Sequence, residues 1–278
     1  MMTTTITLLV DNRAETGLKH EHGLSVLIEQ QGKRILFDNG QNDALFYNAE
    51  KLATPLHSLD LIILSHGHYD HGGNLARLLD INPDALFYAH PDCMQTRYSL
   101  HPNKAPRTIS LTKTVVEAIE AFPDNQKKFI TSPTEICSGI WLTGQIPRLC
   151  EIEDTGGPFF LDKEKKQVDQ LNDDMSLWIE TEDGLTVICG CCHSGIINTL
   201  NYIKQQTGEA ARINNLLGGL HLVNANQQRL NGTIDYLNKQ HIETIYPAHC
   251  TGDNSILLLK KQFKNKLQTA KAGLQLTL

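Results

Sequence analysis

The sequence holds no apolar run approaching the ~20 residues that a membrane-spanning helix requires. It also has no excess of positive charge. Twenty-five Lys and Arg stand against 31 Asp and Glu, a formal net charge of -6. A sequence-independent grip on nucleic acid needs a basic surface that displaces counterions, so this balance argues against it. No basic segment precedes the apolar stretch at the N-terminus, and Asp11 cuts that stretch short. It is expected to be a first strand, not a signal peptide. There is no internal repeat and no low-complexity linker. The cysteines, at 93, 137, 150, 189, 191, 192 and 250, are odd in number. Reduced thiols in a cytoplasmic protein are the simplest reading of that set. What is present is ordinary: 40% hydrophobic and 20% charged residues over 278 positions. That composition suits a globular chain able to bury a substantial core.

Strand-like and helix-like runs alternate throughout. Strands are expected at 5–10, 24–29, 34–37 and 60–64, then at 85–89, 140–143, 176–180, 185–189, 213–217 and 244–246. A helix should begin near Gly72–Gly73 and carry Leu75, Leu78 and Leu79. Ser194 is placed to cap another that carries Ile196, Ile197, Leu200 and Ile203 and ends before Gly208. Asn224 is placed to open a third, with Leu230, Ile234 and Leu237 on one face. The stretch 255–270 is amphipathic, with Leu257, Leu258, Phe263 and Leu267 against a Lys-rich face. Residues 91–133 are the least regular, with five prolines. They are expected to form a substrate-side insertion with one helix near 115–122. The mixture points to an α/β layered fold.

Four ligand-type side chains fall within six residues: His66, His68, Asp70 and His71. His66 and His68 are two apart, so in an extended loop their rings can face the same way. Gly67, Gly72 and Gly73 let the backbone turn sharply around them. The apolar run Leu61–Leu64 delivers the loop at its C-terminal end, where sites on layered α/β folds tend to lie. Imidazole with carboxylate suits zinc, manganese or iron. If further histidines arrive from elsewhere, the donors exceed what one ion uses, and two metals become the sharper reading. A surface histidine cluster is the competing one, but an HxHxDH string after a buried-type strand weighs against it.

The string His66-Gly67-His68-Tyr69-Asp70-His71 matches the HxHxDH signature of the metallo-β-lactamase superfamily, which this sequence resembles. Further matching segments follow in order around Glu21–Ser25, Leu36–Gly40, Thr143–Arg148, Gly190–Ile196, Gly218–Leu222 and Pro247–Gly252. Together they resemble the branch labelled dihydropterin ribofuranosyl-aminobenzene phosphate synthase-like, over nearly the whole chain. The resemblance implies a single domain over 1–278 with an αββα sandwich of two mixed β-sheets flanked by helices. It implies two divalent ions, zinc foremost, with manganese or iron as alternatives. His66 and His68 would bind the first, and Asp70, His71 and His249 the second. Near His193 two registers compete. Either Asp173 or Asp174 takes the position of the third histidine, or His193 is itself that ligand and no acid bridges the ions. Both registers keep His193 at the site. Asn39 and Gln145 depart from residues common in the family, and these changes are expected to tune the pocket.

His221 is a candidate acid or base. His22, beside Glu21, and Arg148 are candidates for holding substrate. Cys191, Cys192 and Cys250 lie beside proposed ligands, where a thiolate can enter a zinc shell or a thiol can fill a core. The leading expectation is hydrolysis of an ester, lactone or phosphodiester in a small-molecule substrate, with Asp70 orienting the nucleophile. Transfer chemistry on a pterin-like phosphorylated substrate, or ligand binding with little turnover, are the alternatives.

Overall fold

The computed structural model describes residues 3–278. In chain order its regular elements are β1 (Thr4–Val10), β2 (Ser25–Gln30), β3 (Lys33–Phe37), α1 (Ala44–Lys51), β4 (Leu61–Ile63), α2 (Tyr69–Gly72), α3 (Leu75–Ile81), β5 (Leu86–Ala89), β6 (Tyr98–Ser99), β7 (Arg107–Thr108), α4 (Lys113–Ala121), β8 (Lys127–Phe129), β9 (Thr134–Cys137), β10 (Ile140–Leu142), β11 (Phe159–Phe160), β12 (Ser176–Thr181), β13 (Gly184–Cys189), α5 (Ile196–Thr207), β14 (Ile213–Gly219), α6 (Gln227–Lys239), β15 (Ile242–Ala248), α7 (Asp253–Phe263) and β16 (Gln275–Thr277). They fall into two compact units. The first comprises residues 3–96, Thr108–Ile130 and Ala270–Leu278, and the second Arg97–Arg107 and Thr131–Thr269. Among the described residues no helix is long and apolar enough to cross a membrane.

The first unit is built on a mixed sheet ordered β16-β1-β2-β3-β4-β5-β8. Strands β16 to β3 pair antiparallel, and β3, β4, β5 and β8 pair parallel. Alternation along each strand sends Leu9, Leu27, Leu36, Ile62 and Phe87 into one core with Leu45, Leu75, Leu78, Val115 and Ile119 of helices α1, α3 and α4. Residues on the opposite face, including Leu8, Val26, Ile35 and Ile63, are buried too. Two helices end where sequence rules place the stop. Proline follows the C-cap residues Asn82 and Phe122, and the residue before proline avoids helical backbone. The stretch 91–133 is more ordered than its prolines suggest. Thr112 caps α4 by accepting the Val115 amide, and β8 joins the sheet edge.

The second unit has its own mixed sheet, ordered β15-β14-β13-β12-β10-β9. Strands β13, β14 and β15 run parallel, linked by α5 and α6, and the rest pair antiparallel. Val187, Leu216 and Ile245 pack with Ile196, Leu200, Ile203, Ile234, Leu237 and Leu259 of the helices. Helix starts differ from expectation in an instructive way. Gly195, not Ser194, sits at the N-cap of α5, with φ 91°, and Asn226, not Asn224, caps α6 by accepting the Arg229 amide at 2.9 Å. On α7 the buried face is Ser255, Ile256, Leu259 and Phe263, and Leu257 is exposed. That helix stops at Lys264, whose φ of 48° is not helical.

Candidate metal centre

In the first unit the donor loop follows β4, and its partner comes from the end of the parallel neighbour β3. Asp38 directly follows β3 and adopts φ 58°, a backbone that aspartate tolerates better than most residues. Its carboxylate is fully buried and acts as a hub. One oxygen accepts the Ser65 amide at 2.7 Å, and the other accepts the Ser65 hydroxyl at 2.7 Å and His71 Nδ1 at 2.6 Å. A carboxylate can only accept, so His71 carries its proton on Nδ1 and keeps a lone pair on Nε2. Ser65, having donated to Asp38, accepts from His66 Nδ1 at 2.9 Å. That leaves the Nε2 lone pair of His66 facing His68 Nδ1 at 3.0 Å. The ring centroids of His66 lie 4.5 Å from those of His68 and 4.3 Å from those of His71. Asp70, in the first turn of α2, has one carboxylate oxygen 3.0 Å from His22 Nε2. Glu21 has a different role: it accepts the amides of Gln41, Asn42 and Ala44 at the start of α1.

The second unit repeats the principle. Its chemistry-bearing side chains follow the C-terminal ends of three adjacent parallel strands: Cys191 and His193 after β13, His221 after β14, and His249 with Cys250 after β15. Ligand atoms of Cys191, His193 and His221 lie within 4.8 Å of one another, as do those of Cys191, His249 and Cys250. The strand ends converge because β14 closes on two glycines. A Cβ at Gly218 would stand 2.0 Å from the Cys189 carbonyl oxygen, and one at Gly219 would stand 2.5 Å from Cys250 Sγ. Cys192, His221 and His249 adopt φ values of 59°, 43° and 45°. Such backbone costs about 1–3 kcal/mol per residue and clusters at functional sites.

His193 is held on every side. Its Nδ1 lies 2.7 Å from the Thr155 carbonyl oxygen, so the proton is on Nδ1 and the lone pair on Nε2. Its own carbonyl accepts Arg148 Nη1 at 2.6 Å, and the next amide, Ser194, donates to Asp174 at 2.8 Å. Arg148 Nη2 donates to the Gln170 carbonyl at 2.7 Å, so the two terminal nitrogens of this guanidinium are engaged with main chain. Asp173 is ion-paired with Arg97 at 2.8 Å. Neither Asp173 nor Asp174 belongs to a donor group of this unit among the described residues, whereas His193 does.

The thiols divide by environment. A hydrogen bond with Cys189 and burial push the Cys192 thiol well up, which marks it as a core residue. Burial alone would raise Cys250 as well. The hydrogen bond with Cys191 and the charges of His221 and His249 outweigh it and hold that thiol well below its ordinary value.

The donors suit a divalent ion of zinc's type. Two imidazole nitrogens bound tetrahedrally at about 2.0–2.1 Å lie roughly 3.3–3.4 Å apart. The 3.0 Å between His66 Nε2 and His68 Nδ1 is a few tenths short of that. The ring nitrogens turned away from the donors of His71 and His193 are anchored by a carboxylate and a carbonyl, as metal-binding histidines usually are. Sequence reading missed Asp38 as the hub, although its segment was singled out. It also missed Thr155, which acts through a backbone carbonyl and so leaves no side-chain signal.

Glu153 yields a stability prediction beside the centre. Its carboxylate accepts the Ile197 and Asn198 amides, both at 2.9 Å, and supplies the cap that Gly195 cannot. Glu153→Ala should therefore cost about 1–2 kcal/mol in denaturant unfolding. Burial pushes this carboxyl up despite the two amides. A raised carboxyl stabilises the fold below its unfolded value and loses that contribution as pH rises through its folded value. The stability of wild type relative to Glu153→Gln should fall as pH climbs through that window. A difference that stays flat with pH would show the carboxyl to be unshifted.

The fold has counterparts among known proteins. Residues 19–201 match the model of the metallo-beta-lactamase superfamily. An uncharacterised protein of Methanocaldococcus jannaschii is 36% identical over 92% of this chain and 94% of its own. A second protein of that organism is 31% identical over 91% of this chain and 88% of its own. It is named 7,8-dihydropterin-6-methyl-4-(beta-D-ribofuranosyl)-aminobenzene-5'-phosphate synthase. Among solved structures, Tm1679, described as a metal-dependent hydrolase of the beta-lactamase superfamily, aligns with a TM-score of 0.82 at 28% identity, covering 98% of both chains. The two mixed sheets with flanking helices are those of this fold.

Proposed function

The chain belongs to the metallo-beta-lactamase superfamily, and on that footing we propose that it is a metal-dependent hydrolase acting on an ester, lactone or phosphodiester bond of a small molecule. The observation that carries the reading is the pair of proton-anchored histidines, His71 on Asp38 and His193 on Thr155, among donors at the ends of parallel strands. Structural histidines do not need a lone pair presented in this way, whereas ligands do. From the family pattern we assign His66, His68, Asp70, His71, His193 and His249 to holding divalent metal, with zinc as the first choice. A bound cation of this kind supplies Lewis acidity and lowers the pKa of water toward neutrality.

The chain's own residues do the rest. Asp38 keeps the proton of His71 on Nδ1 and, through Ser65, that of His66 as well. Asp70 orients the nucleophile, with His22 beside it on the substrate side. His221 gives or takes a proton at a ring nitrogen near the reacting bond. Arg148, with two nitrogens on main-chain carbonyls, is assigned to holding the His193 loop more than to gripping substrate. Prolonged dialysis against EDTA should abolish hydrolysis of a panel of aryl esters, lactones and phosphodiesters, and added zinc should restore it. Retention of both metal and activity after chelation would refute the assignment.

A second reading is favoured by the synthase-named relative: transfer chemistry on a phosphorylated pterin-like substrate. The same residues would then polarise a leaving group instead of delivering water. Reaction in ¹⁸O-water separates the two, because hydrolysis places solvent oxygen in the product and transfer does not.

A further inference from the structure

Arg229 lies on α6 and is 1% exposed, yet nothing in the proposed chemistry uses it. A buried guanidinium is tolerated only when it is paired. Its Nη1 donates to Asp154 Oδ1, and the same oxygen accepts the Gly156 amide at 2.8 Å. One carboxylate oxygen thus fastens α6 to the strap of backbone at 153–157. The Asp154 side chain is itself 69% exposed, so the buried end of this pair is the arginine.

Three successive parts of the strap bear on the histidine cluster. Glu153 caps α5, whose first residues follow His193. The Thr155 carbonyl receives the Nδ1 proton of His193 at 2.7 Å. Gly156, at φ 87°, lies so close to His221 that a Cβ there would stand 1.9 Å from Cδ2 and 2.6 Å from Nε2. His193 and His221 are neighbours, with ring centroids 4.2 Å apart, and Phe159 stands edge-on to both at 5.5 and 6.2 Å.

We infer that Arg229 is a positioning residue for the metal centre: acting through Asp154 and the 153–157 strap, it sets the tautomer of His193 and the seat of the His221 ring. The argument is geometric. A carbonyl fixes a histidine tautomer only while it stays within hydrogen-bond reach. Where the Thr155 carbonyl sits is set by the residues on either side of it. Glu153 ties one side to α5, and the Asp154–Arg229 pair ties the other to α6. If the pair is lost, the turn at 154–156 loses its side-chain tie to α6, and the carbonyl is free to rotate away from Nδ1. His193 can then place its proton on Nε2, the nitrogen meant for a metal.

This inference rests on the reading of His193 as a metal donor, so the test separates the two. Long-range ¹H–¹⁵N spectra of metal-free protein labelled at histidine report the His193 tautomer without reference to zinc. Wild type should show the proton on Nδ1, and Arg229→Met should show a mixture of tautomers. Competition with a chelating dye should show zinc binding weakened about 10–100-fold in Arg229→Met. Arg229→Lys, which keeps the charge opposite Asp154, should recover much of both signals. If Arg229→Met unfolds, Asp154→Asn carries the test, since it removes the charge pairing from a largely exposed side chain and should shift the tautomer in the same direction. Variants that only lower the melting temperature, with tautomer and zinc affinity as in wild type, would overturn the inference. Wild-type protein that binds no zinc would instead overturn the metal reading, while the tautomer spectra still decide the role of Arg229.

Discussion

His66→Ala or His68→Ala should empty the first metal position and lower hydrolytic turnover by roughly a thousandfold or more. That corresponds to about 4 kcal/mol of transition-state stabilisation, within what a Lewis-acid ion contributes. Elemental analysis after gel filtration and rates on the best panel substrate check it together. Asp38→Asn provides the graded comparison. It touches no substrate, yet its new amide group would face two donors, the Ser65 hydroxyl and the His71 Nδ1 proton. His71 would escape the clash by moving its proton to Nε2, the nitrogen it presents to a metal. Zinc affinity should therefore drop about 10–100-fold while the fold persists. An Asp38→Asn protein that binds zinc like wild type would mean that the hub does not set the tautomer.

Asp173→Ala should be among the most destabilising single changes outside the centre. Arg97 is fully buried, donating from Nε to Asp169 at 2.8 Å and ion-paired through Nη2 with Asp173, also at 2.8 Å. Truncating one carboxylate leaves a buried guanidinium half-compensated, a loss of about 3–5 kcal/mol in comparable cases. At about 2–4 °C per kcal/mol for a chain of this size, the melting temperature should fall by roughly 10 °C. Arg97→Met should be at least as damaging, because it strands two carboxylates together. A loss below about 1 kcal/mol for Asp173→Ala, read from urea unfolding, would show that the triad is not desolvated as its burial indicates. The pairing also gives Asp173 a partner outside the histidine cluster. Its neighbour Asp174 holds the Ser194 amide, while His193 stands with the donors.

Buried apolar strands are legible in the sequence. The expected bounds of β2, β3, β13 and β14 lie within two residues of the observed ones at either end, because short runs rich in Val, Ile and Leu between turn residues leave little choice. Helix starts were less legible. Ser194 satisfies every local rule for a cap, yet the cap of α5 is Glu153, more than forty positions away in sequence. The short strands β8, β9 and β16 carry three or four residues each, too few to register a period.

The HxHxDH loop could be read from sequence because its chemistry is local. Consecutive residues after one buried strand must emerge together, whatever the rest of the chain does. The family pattern added His193, His221 and His249, but no spacing rule joins positions 193, 221 and 249. Their meeting depends on β13, β14 and β15 pairing in parallel and on Gly218 and Gly219 letting the strand ends close. The atoms that decide which nitrogen of each ring is available lie further still from sequence. Asp38 reaches His71 across 33 positions and the Thr155 carbonyl reaches His193 across 38. Donor types are set by side-chain chemistry, which a sequence states outright. Donor protonation is set by hydrogen bonds between distant segments, and those exist only once the chain has folded.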